Sequence, residues 1–243
     1  SLATSQLLLE NPIADGAYLG GASAFRDIGV QAFDSFTLGA GELSYALMVS
    51  NGRMGGFDVD QGKDVSGRLA WTPFVWGPPG ALAREEFGFF AFRQQGPRLV
   101  DGEQALRVRQ GGGVKFEREG WRLRTELIHA RGAIEVGPTF PGMPVRVLAD
   151  GEALGGYAFA HYERRGVGGG LRYDELWRGL GDDAELRVFR SVTTNAQLEF
   201  HPKVRLMLDY ELRWMSAPRA SEDAQAIAST MGDRVSLQAI AVF

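Results

Sequence analysis

The chain has 243 residues, a formal net charge of −4, 33 glycines and no cysteine. It is long enough for one large domain, its missing cysteines exclude disulfides and thiolate metal sites, and its charge does not favour nucleic-acid binding. No apolar run approaches the ~18 residues that a transmembrane helix needs, which excludes a helical membrane protein. A membrane β-barrel is not excluded, because its signal lies in alternation rather than in apolar runs.

Residues 1–24 do not alternate, and we interpret them as an irregular segment or one that lies inside a lumen. No signal peptide begins at Ser1, so we expect either a mature chain or a piece of a longer one. From residue 25 onward, apolar and polar residues alternate with the period of two that is typical of β-strands. We therefore predict that residues 25–243 form a single β-barrel domain.

The connections between the predicted strands follow a rhythm. Tight connections, at 119–120 and 201–203, are interspersed with long polar loops at 51–62, 132–152 and 216–233. Short periplasmic turns and long extracellular loops produce this rhythm in outer-membrane barrels, whereas a soluble sandwich has no reason to follow it.

Three segments interrupt the alternation. Residues 86–92 are aromatic on both faces, and we expect some of these rings to form an interfacial girdle. Gly111 to Gly113 interrupt the stretch 104–118, which is either bent by a bulge or one long strand with a weak middle. The strand predicted at 185–200 loses its clean alternation at Arg190.

The last segment, Arg234 to Phe243, alternates through most of its length and ends on an aromatic residue. A terminal strand that ends on Phe is typical of an outer-membrane barrel, and the alternative is an edge strand of a soluble sandwich. In all we predict about 11 or 12 strands in an all-β, antiparallel transmembrane barrel of the bacterial outer membrane. Bacterial barrels usually have even strand counts, so an odd count implies a missed strand or the C-terminal part of a larger barrel.

Several segments resemble the phosphate-selective porin family (porins O and P). They are R-D-I-G-V-Q at 26–31, G-K-D-V-S-G-R-L-A-W-T-P-F at 62–74, H-P-K-V-R-L-M-L-D-Y-E at 201–211 and the Phe-terminated last strand. The resemblance covers most of residues 26–243. It implies a sixteen-stranded barrel, usually a homotrimer, with loops folded into the lumen.

The sequence departs from this family in two ways. The family has four or five further strands before the segment at 26–31, and it uses lysine clusters together with an arginine ladder, whereas this chain has only three lysines. Because an open barrel edge exposes unpaired backbone groups to lipid, a partner chain or a further part of this chain would have to close the sixteen-stranded cylinder.

We predict a set of lumen-facing cations, each on the face opposite an apolar one. A ring of such cations would attract anions, and the alternative is a solvated interior in which they pair with acidic residues on the same faces. Two arginine pairs on hairpin-connected strands, 107/109 and 122/124, are the strongest candidates for an anion site. The full set is Arg68, Arg107, Arg109, Lys115, Arg122, Arg124, Arg172, Arg205 and Arg213.

The predicted function is that of a porin-like channel for the passive diffusion of small anions. Its partners would be outer-membrane lipid and the anionic solute, and we expect neither a cofactor nor enzymatic activity, because the three histidines lack metal-ligand spacing. The alternative is a structural barrel subunit that a partner chain completes, serving as an anchor or conduit in an envelope complex. A soluble lipocalin-like binder is a third alternative. It would need about eight strands and an apolar interior, and the polar, arginine-rich inner face predicted here argues against it.

Overall fold

The computed structural model describes residues 29–50, 62–76, 85–100, 103–136, 146–181, 186–201, 204–219, 222–229 and 232–241. The predicted N-terminal segment 1–24 and the terminal Phe243 therefore lie outside the described residues. Because the division at residue 24 falls there too, the predicted boundary between that segment and the β-domain stays a prediction.

Eleven antiparallel strands form one sheet, and each strand pairs with its neighbours in sequence. The predicted all-β class and the count of eleven strands are confirmed for the described residues. The strands are β1 (Gly29–Leu38), β2 (Gly41–Ser50), β3 (Asp64–Trp76), β4 (Glu85–Val100), β5 (Glu103–Arg118), β6 (Trp121–Val136), β7 (Arg146–Arg164), β8 (Val167–Arg178), β9 (Arg187–His201), β10 (Val204–Ser216) and β11 (Arg234–Ala241).

A helix, α1 (Glu222–Ser229), lies between β10 and β11, where we predicted only a polar loop. Three alanines with high helix propensity follow Glu222 and Asp223, whose negative charges are favourable at a helix N-terminus. Across the described ranges, no helix has both the length and the apolar character needed to cross a lipid bilayer.

The prediction of a loop over residues 132–152 is wrong at both ends. β6 continues to Val136 and β7 begins at Arg146, with Ile134 paired to Leu148 beyond a register shift after Gly132. The prolines that suggested a loop all fall at positions 138–144, which lie outside the described residues and between the two strands.

Tight hairpins join several of the strands. Both central residues of the turn between β5 and β6, Glu119 and Gly120, have positive φ angles, and so do Arg165 and Gly166 between β7 and β8. This backbone conformation is that of a type I′ turn, whose twist matches the twist of the paired strands. These turns fix the register of both hairpins.

The register sorts the side chains of every strand onto two faces. One face is concave, because Phe92 of β4 packs against a cluster of residues from β6 to β9. β4 also comes within 8 Å of β7 between Cα atoms, although two strands lie between them in the sheet. The opposite, convex face exposes many large apolar side chains, among them Leu69, Leu171 and Leu208.

Gly111 to Gly113 lie within one continuous strand, so the alternative of a single long strand is confirmed for this segment. Gly111 and Gly113 face the concave side. A Cβ atom at these positions would come within 2.8 Å of the Phe92 ring and 2.7 Å of the Phe90 ring. The two glycines thus leave room for phenylalanine rings from β4, and this explains why residues 86–92 are aromatic on both faces.

The two ends of the strands differ in their connections, and we name the halves of the sheet accordingly. The turn half lies next to the connections at 39–40, 77–84, 119–120, 165–166 and 202–203, and the loop half lies next to those at 51–63, 101–102, 137–145, 179–186 and 217–233.

The concave face of the loop half is packed. Its core consists of Ile128, Ala130, Ala153, Leu176 and Phe189, with Phe92 and Met215 packed against it. These core residues lie on the same face of their strands as the polar residues of the turn half. Along these strands, the concave face therefore changes from polar to apolar.

Within the described part of the chain, the sheet is not closed. β1 pairs only with β2, and β11 pairs only with β10. All ten residues of β1 are exposed, including Phe33, although its register places Phe33 on the concave face. No other described strand pairs with the outer edges of β1 and β11.

Candidate functional site

The concave face of the turn half contains a cavity of about 570 Å³. Residues of six strands, β6 to β11, line it. The lining includes five arginines and three acidic residues, together with polar side chains of β9 such as Thr193, Asn195 and Gln197. Its chemistry suits a small, hydrated solute with polar or charged groups.

Four predicted lumen cations line this cavity, and each has an acidic neighbour. Arg124 forms an ion pair with Glu117, and Arg172 is held by the carboxylate of Asp174. The other two share Glu163, whose carboxylate oxygens lie 3.7 Å from Arg122 Nη2 and 3.6 Å from Arg205 Nη2. This arrangement corresponds to the pairing alternative that the sequence left open.

Three further predicted cations lie elsewhere on the concave face. Lys115 forms an ion pair with Glu86 on the neighbouring strand. Arg68 lies over the Phe90 ring, with its Cζ atom 5.0 Å from the ring centroid. Arg213 donates from Nε and Nη2 to the carbonyl oxygen of Gly232, at 3.0 and 2.9 Å. None of these three lines the cavity.

Arg107 and Arg109 are on the concave face, but they lie in the loop half and are only 2% and 4% exposed. Arg107 Nη2 donates to Asp64 Oδ2 at 3.1 Å, and Gln94 donates to the same oxygen at 2.8 Å. The register pairs Lys115, not Arg107 or Arg109, with Arg124. The two arginine pairs proposed as one anion site therefore lie at opposite ends of the β5–β6 hairpin.

His161 is a cavity residue that the sequence did not single out. It is 5% exposed, and its Nδ1 atom has no hydrogen-bond partner among the described residues. The imidazole stacks on Phe159, and a Cβ atom at Gly168 or Gly170 would come within 3.1 Å of it. The repeated glycines at 168–170, placed one strand after an aromatic-rich stretch, were the available signal.

Arg234 is a second cavity residue outside the predicted set. It begins β11 and forms an ion pair of 2.8 Å with Glu211 on β10. Alternation places Arg234 on the same face as Ser236 and Gln238, so the pattern of the last strand could have identified it as a residue of the polar face.

The convex face of the turn half is apolar and rich in aromatic rings. Phe74 stacks on Phe87 at 6.4 Å between centroids, and Trp121 contacts Tyr162 at 4.8 Å. An edge contact of 6.3 Å joins Trp76 to Phe116. These rings belong to five strands, β3 to β7, so they form a band across the convex face near the turns.

The convex face of the loop half is mixed in character. Polar residues alternate with Leu154 and Trp177, and several of them form contacts with one another, including His129 with Glu152 at 2.7 Å and Arg190 with Glu175 at 2.8 Å. The polar residues here are Arg93, Gln95, Gln110, His129, Arg131, Glu152, Glu175 and Arg190.

No group of three or more histidine and acidic side chains that could hold a metal ion occurs among the described residues. His129 lies on the convex face and His161 on the concave face, so the register separates these two. Comparison with protein-family models and with curated proteins finds no match to this chain.

Proposed function

We propose that the chain forms the wall of a porin-type β-barrel in the bacterial outer membrane and that small hydrophilic solutes, preferably anions, diffuse passively through its interior. The observation that carries this proposal is the opposite chemistry of the two faces in the turn half. Exposed apolar side chains and aromatic rings cover the convex face, whereas ion pairs and a polar cavity occupy the concave face. This distribution is the one a wall needs between lipid and a water-filled lumen.

The convex face supports contact with lipid. Val30, Leu127 and Leu237 have exposed fractions of 81%, 67% and 69%, and exposed large apolar side chains occur on strands from β1 to β11. Burying this surface in hydrocarbon would be favourable by about 25 cal/mol for each Å² removed from water. The aromatic band near the turns corresponds to the girdle that membrane barrels place at the lipid–water interface.

The lining of the cavity, with five arginines and three acidic residues, favours anions, and Glu117, Glu163 and Glu199 beside these arginines reduce that preference. Because Arg122, Arg124, Arg172 and Arg205 all have acidic neighbours, we expect this preference to be weak. The resemblance of residues 26–31, 62–74 and 201–211 to phosphate-selective porins adds support for an anion channel.

Conductance of the outer-membrane protein in planar lipid bilayers tests this proposal. Under a KCl gradient, we expect open channels and a reversal potential displaced weakly toward the value for chloride. Arg122→Ala should reduce this displacement, because it removes a cation from the cavity. Arg131→Ala, on the convex face, is the control and should leave the reversal potential unchanged. Folded protein that never forms a conducting channel would contradict the proposal.

A second candidate function is that of a structural barrel subunit, completed by a partner chain. The open edges of β1 and β11 in the described part of the chain favour it, because unpaired backbone groups cost several kcal/mol each in lipid. Mass spectrometry of the protein extracted from the outer membrane separates the candidates. A stoichiometric companion barrel chain would favour the structural subunit, and a lone chain would contradict it.

A further inference from the structure

The concave face changes character over one or two residue positions on several strands. On β8, Arg172 and Asp174 line the polar cavity, and the next concave residue, Leu176, belongs to the apolar core. On β6, the same step occurs between Arg124 and Ile128, with Glu126 in between. The polar cavity therefore meets the packed apolar core along a sharp boundary.

The side chains of this core come from across the curved sheet. Phe92 comes from β4, Ile128 from β6, Leu176 from β8, Phe189 from β9 and Met215 from β10. The register places them in one row across the sheet, and the near-complete burial of Ile128, Leu176 and Phe189 indicates that the concave side is filled at this level. All described members of this packed layer are strand residues.

The layer is closed to water. Leu176 is only 1% exposed, and Ile128 and Phe189 are nearly as buried. Next to it, the Cζ atom of Arg178 lies 5.3 Å from the centroid of the Phe189 ring, so a cation covers one side of that ring. An ion that enters such a layer must lose its hydration shell without gaining equivalent polar contacts.

We propose that Phe92, Ile128, Leu176, Phe189 and Met215 form a hydrophobic constriction that closes the concave side of the loop half and limits the permeation of ions. This inference rests on the proposed channel function and adds the barrier that sets its conductance. Solutes reach the polar cavity from the turn half, and passage into the loop half requires these side chains to separate. Conductance is then controlled by packing in this layer more than by the charges of the cavity.

Conductance of the full chain in planar bilayers, with a matched pair of variants on β9, tests the constriction. Phe189→Ala removes a ring from the layer and should raise single-channel conductance by about twofold or more. Phe200→Ala removes a ring that is 65% exposed on the convex face, and it should leave conductance unchanged. Equal conductance of the wild type and a folded Phe189→Ala variant would overturn the constriction.

Cysteine labelling provides a measurement that does not depend on conductance, because the native chain contains no cysteine. A charged methanethiosulfonate should modify Leu176→Cys about tenfold more slowly than Thr193→Cys, since close packing excludes the reagent. Combining Leu176→Cys with Phe189→Ala should speed its modification. Similar rates at both positions would overturn the constriction. Absence of conductance in the wild type and both variants would instead overturn the proposed channel, and the labelling rates would still decide whether the layer is closed.

Discussion

In the turn half of the sheet, apolar side chains point outward from the convex face and ion pairs fill the concave face. In the loop half, an apolar core together with buried charged residues such as Arg107 and Asp64 fills the concave face, and the convex face is mixed and partly charged. β6 passes through both regions: Leu123 and Leu127 are exposed on the convex face, whereas Ile128 and Ala130 are buried on the concave face.

Under the proposed function, this change of faces means that one continuous strand lies in two external environments. An apolar convex face is stable beside lipid, and a partly charged one is stable beside water or lipid headgroups. Under the proposed function, the step between Leu127 and His129 marks the level at which β6 leaves the hydrocarbon. Beyond this level, lipid no longer covers the convex face, and the apolar core on the concave side stabilises the sheet.

The two halves should differ most in the stability that is lost when one of their ion pairs is broken. Asp64→Asn in the loop half removes the charge that faces the buried Arg107, and breaking a buried pair costs about 3–5 kcal/mol. Glu117→Gln in the turn half removes a partner of the half-exposed Arg124, and such exposed pairs contribute about 0–1 kcal/mol. Urea unfolding in detergent, followed by tryptophan fluorescence, measures both values. Equal losses would show that the two halves are equally solvated.

The fold was largely predictable from the sequence, because period-two alternation depends only on which side chains meet water and which do not. The eleven strands and most of their faces follow from it. The interruption at Arg190 could not be interpreted in the same way. In the structure β9 continues through it, with Phe189 facing the concave core and Arg190 facing the convex surface. Alternation persists there, but the polar and apolar faces have exchanged.

The candidate site was less predictable, because alternation gives the face of a residue but not its height along a strand. Arg107 and Arg122 share a face, and the register between β5 and β6 alone decides that they lie far apart. The place of His161 depends on Gly168 and Gly170, which make room for its ring from the next strand. Such contacts between strands have no periodic signature in the sequence.

A charged substitution on the convex face should also change the free energy of unfolding differently in the two halves. We expect this difference to be smaller than the one between the ion-pair variants. Leu171→Arg places a cation where the turn half would face hydrocarbon, at a cost that is about 2–4 kcal/mol at the bilayer midplane and falls toward the aromatic band. His129→Arg, on the convex face of the loop half, should change the free energy of unfolding by less than about 0.5 kcal/mol, as surface substitutions usually do. Refolding titrations in lipid vesicles measure both. A neutral effect of Leu171→Arg would contradict a lipid-facing turn half.

A small change in stability, comparable with that of Glu117→Gln, is expected at Glu163, which faces both Arg122 and Arg205 at the cavity. Glu163→Gln should cost no more than about 1 kcal/mol, because Arg122 is half exposed to solvent. It should nevertheless shift the reversal potential toward chloride, since two cations then face the lumen with less compensation.

The matched control for Glu163→Gln is Glu152→Gln, which removes an acid from the convex face, where it contacts His129. The two variants change the net charge of the chain equally, so an effect of overall charge would appear in both reversal potentials. A shift confined to Glu163→Gln would place the permeating ions on the concave side of the turn half. Equal shifts, or none, would mean that ions do not pass the cavity, and the comparison between the halves would then describe only the stability of the sheet.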